Sequence, residues 1–295
     1  MNNPYFSIVI PTYNRAALVL EAVNSALQQQ FVDYEIIVVD DGSKDTTEER
    51  LKLITDPRFS YYKKENGERG AARNFGTAVA RGKYVNFFDS DDLMYSNHLQ
   101  TAKELIDREN NPEFFHLGYD NKTRDGVLLK KVDNLDNSIQ RRVLFSNFLG
   151  TTGVFVRKDI AAKHRFEERR VLATAEDWEL WIRLLSRYTI RYSNTITSTV
   201  VNHPQRSIFT IPADKVIARD TFLVSVLEKD PEVMACFAES WKKFVAERYT
   251  FIMLCLAEER RRREVFHWAR KALSVYLPIV VSRRFLASIK NAITK

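Results

Sequence analysis

Tyr84-Val85-Asn86-Phe87-Phe88-Asp89-Ser90-Asp91-Asp92 changes character within nine residues. Five strand-forming positions run straight into three carboxylates within four positions. Like charges that close repel, so a compensating cation is expected beside them. Mg²⁺ and Mn²⁺ bind carboxylate oxygens and commonly bridge them to substrate phosphates. In open α/β sheets, ligands bind beyond the carboxyl ends of strands, where this cluster falls. The plainer role is an acidic turn that caps a helix starting near Leu93.

The flanking sequence places that strand in a sheet. Short apolar runs at residues 6–10, 34–39 and 59–62 read as strands. Helical spacing at 16–29, 46–54 and 70–80 separates them, and Pro11 ends the first. Strict alternation of this kind predicts a parallel sheet covered by helices, so the fold class is α/β. Two connections carry acids at strand ends, Asp40-Asp41 and Asp89 to Asp92, and can converge on one crevice. The pattern then loosens. A helix is expected over 99–108, an antiparallel pair over 114–119 and 126–132, and a strand over 153–156. An amphipathic helix over 175–188 and a strand over 192–201 follow. After Pro212 the chain reads as helical, giving a 1–210 domain and a 211–295 helical subdomain.

Composition narrows the class. Hydrophobic residues at 45% and charged residues at 28% are ordinary for a globular chain with a sizeable core. Two cysteines, Cys236 and Cys255, make neither a disulfide framework nor a zinc pattern, so both are expected buried in helices of a protein in a reducing compartment. The N-terminus lacks a basic segment followed by a long apolar run, and no apolar run is long enough to span a bilayer. The net charge of +7 lies entirely in residues 258–295, with ten Lys/Arg against three Asp/Glu. A neutral body with a basic tail points to a local anionic partner and away from a nucleic-acid-binding surface.

Four stretches in order carry a resemblance. They are Ser7-Ile8-Val9-Ile10-Pro11-Thr12-Tyr13-Asn14-Arg15, Val38-Val39-Asp40-Asp41-Gly42-Ser43, Gly70-Ala71-Ala72-Arg73-Asn74 and Phe88-Asp89-Ser90-Asp91-Asp92. Together they resemble a family 2 glycosyltransferase of the GT-A fold over about residues 5 to 205. The resemblance implies a mixed, mainly parallel sheet and an inverting transfer of sugar from a nucleotide diphosphate, with Mn²⁺ or Mg²⁺. It places Pro11, Thr12 and Tyr13 around the base and gives Asp41 the uracil N3–H, where it would otherwise cap the helix near Lys44. Arg73 is expected at the diphosphate. Asp91 is expected at the ribose and the metal, and Asp92 is the principal metal ligand; Asp89 is either a further ligand or structural.

Glu176-Asp177-Trp178 resembles the family's acceptor-side acidic motif. An inverting transfer needs a base for the acceptor hydroxyl, and Asp177 fills it, with Glu176 as alternative. Their ordinary role would be acids favoured at a helix N-terminus. Arg183 supports the site or covers a helix face. In Asn202-His203-Pro204-Gln205-Arg206, His203 is a third ligand candidate and Arg206 a phosphate contact, although the preceding Val200-Val201 departs from the family pattern. The expected enzyme transfers sugar, from UDP by family habit, to a saccharide or lipid-linked saccharide in bacterial-type surface polysaccharide synthesis. The alternative is a non-catalytic nucleotide-sugar-binding scaffold; no GxGxxG or P-loop competes. The expected location is cytoplasmic, with residues 258–295 set against the inner face of an anionic membrane, packed on the domain, or forming a homodimer contact.

Overall fold

The computed structural model describes residues 3–203 and 211–294. They form two compact units, one of residues 3–170 and 176–203, the other of 171–175 and 211–294.

The first unit opens with β1 (Phe6–Thr12), α1 (Ala16–Leu27), β2 (Tyr34–Asp40), α2 (Thr47–Leu51), β3 (Phe59–Lys63), α3 (Glu68–Val79) and β4 (Tyr84–Phe87). These strands pair in parallel in the order β3-β2-β1-β4. Every residue of β1 and β2 is buried, as a parallel sheet under helices requires. There follow β5 (Leu93–Met94), α4 (His98–Arg108), β6 (Phe114–Thr123), β7 (Leu128–Val132), α5 (Ile139–Phe145), β8 (Val154–Arg157), α6 (Lys158–Lys163), α7 (Glu176–Leu185) and β9 (Arg191–Asn202). The sheet continues past β4 as β8-β6-β9-β5. β8 is antiparallel to both its neighbours, β9 is parallel to β6, and β7 joins β6 as the expected antiparallel pair. The result is the mixed α/β sheet flanked by helices that the alternation predicts.

Two expectations at strand ends are corrected. Pro11 does not end β1, which runs on to Thr12 with Pro11 beside Val39. Val9 gives its carbonyl to the Phe88 amide on the β4 side, and Pro11 faces the same way, two residues on. β4 has ended there, so the missing N–H leaves no ladder bond unmade. No helix begins at Leu93; β5 pairs there with β9, Leu93 opposite Thr199.

The core is built on aromatic rings. Phe115 and Phe155 stack at 4.9 Å, and Phe6 meets Phe155 edge-on at 5.5 Å. The one polar residue of β4, Asn86, is buried and donates its amide to the carbonyls of Thr152 and Val154, at 3.0 and 2.9 Å. It thereby anchors β8 to β4. α3 lies so close on β1 that a Cβ at Gly76 would stand 2.3 Å from Val9 Cγ1.

The second unit is helical: α8 (Ala213–Leu227), α9 (Pro231–Glu258), α10 (Arg262–Val275) and α11 (Arg283–Thr294). Asp230 starts α9 by accepting the amides of Glu232 and Val233, with Pro231 in the first turn. Its core collects Ala246, Ile252, Met253, Leu256 and Trp268. Cys255 is half-buried, but Cys236 is exposed, against expectation. α9 turns Val233 and Phe237 inward there, and Cys236 lies off that stripe. No described helix is long and apolar enough to cross a membrane.

Gly76→Ala gains about 1 kcal/mol of helix propensity. Overpacking against Val9 costs about 1–3 kcal/mol, so a net loss is expected in urea unfolding. Unchanged or raised stability would show that α3 can move off β1 freely.

Candidate active site

Because β1, β2 and β4 are parallel, their carboxyl ends open on one side of the sheet. β1 brings Pro11 and Thr12 there, both buried, and the exposed Tyr13 follows. The Thr12 hydroxyl oxygen is buried, with no hydrogen-bond partner among the described residues. Asn14 turns the chain at φ 50°, a conformation its short polar side chain tolerates. It donates its amide to Ser43 Oγ and accepts from the Lys44 amide, both at 2.8 Å, which locks the β1 and β2 turns together.

Asp40 and Asp41 divide the work at the end of β2. Asp40 accepts from the Ser43 amide and the Tyr61 hydroxyl and so shapes the turn. Asp41 does not cap a helix. Its Oδ1 accepts from Lys64 Nζ at 2.7 Å and the Gly67 amide at 2.9 Å, and its Oδ2 from Asn66 at 3.1 Å. A carboxylate has about four acceptor sites, so Oδ2 retains capacity for a further donor.

The acidic cluster after β4 is spread over several partners. Asp89 Oδ1 meets Arg73 Nη2 at 2.7 Å. Asp91 Oδ2 meets Arg15 Nη1 at 2.9 Å and His203 Nε2 at 3.0 Å. Asp92, buried, accepts the Val201 amide at 3.1 Å. The pairing of β5 with β9 is what brings His203 across from the far end of the chain. Arg206 lies outside the described residues. Among the described residues no three acidic, His or Cys side chains converge as a metal site. The donor types nevertheless suit a divalent ion, since carboxylate oxygens are the preferred ligands of Mg²⁺ and Mn²⁺.

α7 supplies the acid pair. Arg73 is expected at the diphosphate, but the structure buries it on Glu176, Nη1 to Oε1 at 2.7 Å, as well as on Asp89. Its charge state reflects both surroundings. Burial favours loss of the proton, but Asp89, Glu176 and Asp177 outweigh it and hold the guanidinium charged. Asp177 is half-buried, its Oδ2 accepting from Asn147 Nδ2 at 3.0 Å and its Oδ1 from the Trp178 amide at 2.7 Å. Desolvation, then the Glu176 charge, raise its pKa to about 6, against the opposing pull of Arg73 and Asn147. A carboxylate poised near neutrality is suited to proton transfer. Arg183 is employed structurally, on Glu179 and the Arg165 carbonyl.

Several contributors have no role assigned by the motifs, although Arg15 and Asn74 stand within two of them. Asn74 clamps Phe166, donating to its carbonyl and accepting from its amide, both at 2.9 Å. The Phe166 ring then covers Arg73, 5.3 Å from ring centre to guanidinium carbon. Arg15 and Asn147 reach Asp91 and Asp177 only through tertiary contact, and no local spacing signals either. Gly70 permits a close approach: a Cβ at Gly70 would lie 2.5 Å from the Glu167 carbonyl oxygen.

Removing one partner of a buried ion pair costs about 3–5 kcal/mol, and Arg73→Gln is expected to lose stability on that scale in urea unfolding. Arg73→Lys should recover only part, because an ammonium cannot fork between two carboxylates. A loss below about 1 kcal/mol, the scale of an exposed pair, would mean that water reaches these carboxylates.

The pattern of glycosyl transferase family 2 matches residues 7–156. An uncharacterized glycosyltransferase of Rickettsia conorii is 31% identical over 194 residues, which is 64% of this chain and 32% of that protein. The amylovoran biosynthesis glycosyltransferase AmsB of Erwinia amylovora is 31% identical over 62% of this chain and 64% of its own. The GalNAc(5)-diNAcBac-PP-undecaprenol beta-1,3-glucosyltransferase of Campylobacter jejuni is 30% identical over 61% of this chain and 60% of its own. The chain thus spans about a third of the Rickettsia protein and under two thirds of the other two. Among solved structures, S. aureus TarS 1-349 in complex with UDP-GlcNAc superposes with a TM-score of 0.66 at 17% identity, covering 98% of this chain and 89% of that one. The mannosyltransferase PcManGT of Pyrobaculum calidifontis, in complex with GDP-Man and Mn²⁺, gives 0.56 at 17%, covering 100% and 87%. These neighbours share its GT-A type fold, and on the match across residues 7–156 the chain belongs to glycosyl transferase family 2.

Proposed function

We propose that the chain catalyses an inverting transfer of a sugar from a nucleotide diphosphate, UDP in the first instance, to a saccharide or lipid-linked saccharide hydroxyl. One observation carries this reading: Arg73 joins Asp89, in the acidic cluster after β4, to Glu176, beside Asp177. One acid of the donor-side cluster and the neighbour of the acceptor-side acid are thereby tied through one guanidinium. The names of the AmsB and Campylobacter relatives, which concern polysaccharide and undecaprenol-linked glycan assembly, support this acceptor class. A lipid-linked acceptor would bring the reaction to a membrane surface, on its cytoplasmic side in this reading.

In this reading the base stacks by Tyr13 and rests near Pro11 and Thr12, and Asp41 Oδ2 accepts the N3–H of uracil. Asp92, with Asp91 and His203, would hold Mn²⁺ or Mg²⁺, which when bound offsets charge on the diphosphate. Arg206 is placed at the phosphates by the resemblance alone. Asp177 takes the proton of the acceptor hydroxyl as its oxygen attacks the anomeric carbon from the face opposite the diphosphate. The bond from that carbon to the phosphate oxygen breaks in the same step, and the nucleotide leaves with the electron pair. Arg73 acts as a positioning residue, holding Glu176 and through it the N-terminus of α7.

Turnover with a panel of nucleotide sugars, with Mn²⁺ present, tests the transfer directly. Donor binding without any turnover would favour the scaffold alternative. Asp177→Asn is expected to lower turnover by roughly 10²-fold or more while leaving UDP affinity unchanged. Because the ionised form of Asp177 is the base, wild-type activity should rise with pH through about 6. A flat profile there, or near-normal turnover of the variant, would move the role to Glu176 or dismiss it.

Asp92→Asn should abolish the Mn²⁺ dependence of UDP binding in calorimetric titration. Should Mn²⁺ strengthen UDP binding equally in the variant, Asp92 is not a ligand.

A further inference from the structure

The helical unit ends in a surface for which the transfer chemistry has no use. Residues 265–295 contain six Lys/Arg and no Asp or Glu. Within them α11 buries Phe285, Ser288 and Ala292, a spacing that fixes its inner face. The opposite face presents Arg283, Leu286, Lys290 and Ile293, with Leu286 54% and Ile293 58% exposed. The tight turn Leu277–Val281 precedes it, anchored by the buried Ile279. Leu277 and Val281 on that turn are 69% and 77% exposed, and Val280 is exposed beside them. A lone exposed leucine needs no explanation. Here five apolar side chains alternate with basic ones along one short stretch, whereas the outer face of a helix in water is ordinarily polar.

We propose that this face, the 277–281 turn together with the outer side of α11, docks on an anionic lipid bilayer. The apolar side chains enter the interface, and Arg283 and Lys290 meet the headgroup phosphates. Charge selects the occupant. In a two-fold contact between copies, Arg283 and Lys290 would face the same positive stretch, with no acid in it to offset them. An anionic leaflet supplies the missing sign and accepts the apolar side chains together. The surface rests on the exposure and charge of the helical unit alone, so it stands or falls apart from the transfer reading.

The test is co-sedimentation of the full chain with vesicles of phosphatidylcholine, with and without phosphatidylglycerol. Binding is expected only with phosphatidylglycerol, weakening as salt screens the charges. Arg283→Gln with Lys290→Gln should weaken it about fivefold per charge. Val281→Ser with Leu286→Ser, which leaves charge untouched, should weaken it as well; a purely electrostatic attraction elsewhere on the protein would not respond. Thermal unfolding of both variants should match the parent, since all four positions are exposed. UDP binding should also be unchanged, which separates this surface from the donor site. No binding to phosphatidylglycerol vesicles at low salt overturns the proposal, as does binding indifferent to both variants. A dimer in solution that the serine variant abolishes assigns the face to a second copy and overturns it too.

Discussion

A single guanidinium holds the candidate site together. Arg73 lies buried between Asp89 and Glu176, each at 2.7 Å, under the ring of Phe166. An isolated buried cation is costly, and so is each isolated buried carboxylate. Arg73 and Glu176, both buried, offset one another, and the half-buried Asp89 supplies a second anion to the guanidinium. That interdependence fixes the end of β4 against the start of α7, although the residues come from opposite halves of the first unit. The surrounding parts serve this geometry: Gly70 lets α3 approach the 166–167 segment, Asn74 grips it, and Asn86 ties β8 beside β4.

The same balance explains why Asp177 and Glu176, adjacent in sequence, differ. Glu176 faces the guanidinium at bonding distance, whereas among the described residues Asp177 accepts from the Asn147 amide and its neighbour's N–H. Burial and the Glu176 charge then act on Asp177 with weaker opposition, and its pKa climbs to about 6. Holding an anion next to a half-buried acid costs stability once the pH exceeds the acid's normal range. Such local expense is characteristic of sites kept for chemistry.

Much of this is legible in the sequence because it is local. Alternating apolar runs place the strands, and acids directly after them mark the crevice. The resemblance offers His203 as a further ligand candidate, but its hydrogen bond to Asp91 depends on the pairing of β5 with β9, which only the fold supplies. What escapes is whatever depends on which side chains meet across the fold. Arg73 carries the right charge for a diphosphate, but the sequence does not reveal that two carboxylates stand nearer to it. Pro11 reads as a stop because Pro usually stops strands; here the neighbouring strand ends first. Cys236 sits in an apolar helix yet falls off its inward stripe.

The insertion of β8 between β4 and β6 has a consequence for assembly. β1, β2 and β3 pair over 23 to 28 residues, but Tyr84 meets Phe6 across 78 residues and Arg157 across 73. Pairings between distant segments form slowly, because chain entropy is lost before contacts repay it. During synthesis the parallel half can therefore condense while α7 does not yet exist. Until α7 arrives, Arg73 lacks one of its two anions and is better left in water than buried. The crevice is accordingly the last part of the first unit to close, and a chain stalled before α7 holds a sheet but no acceptor-side acid.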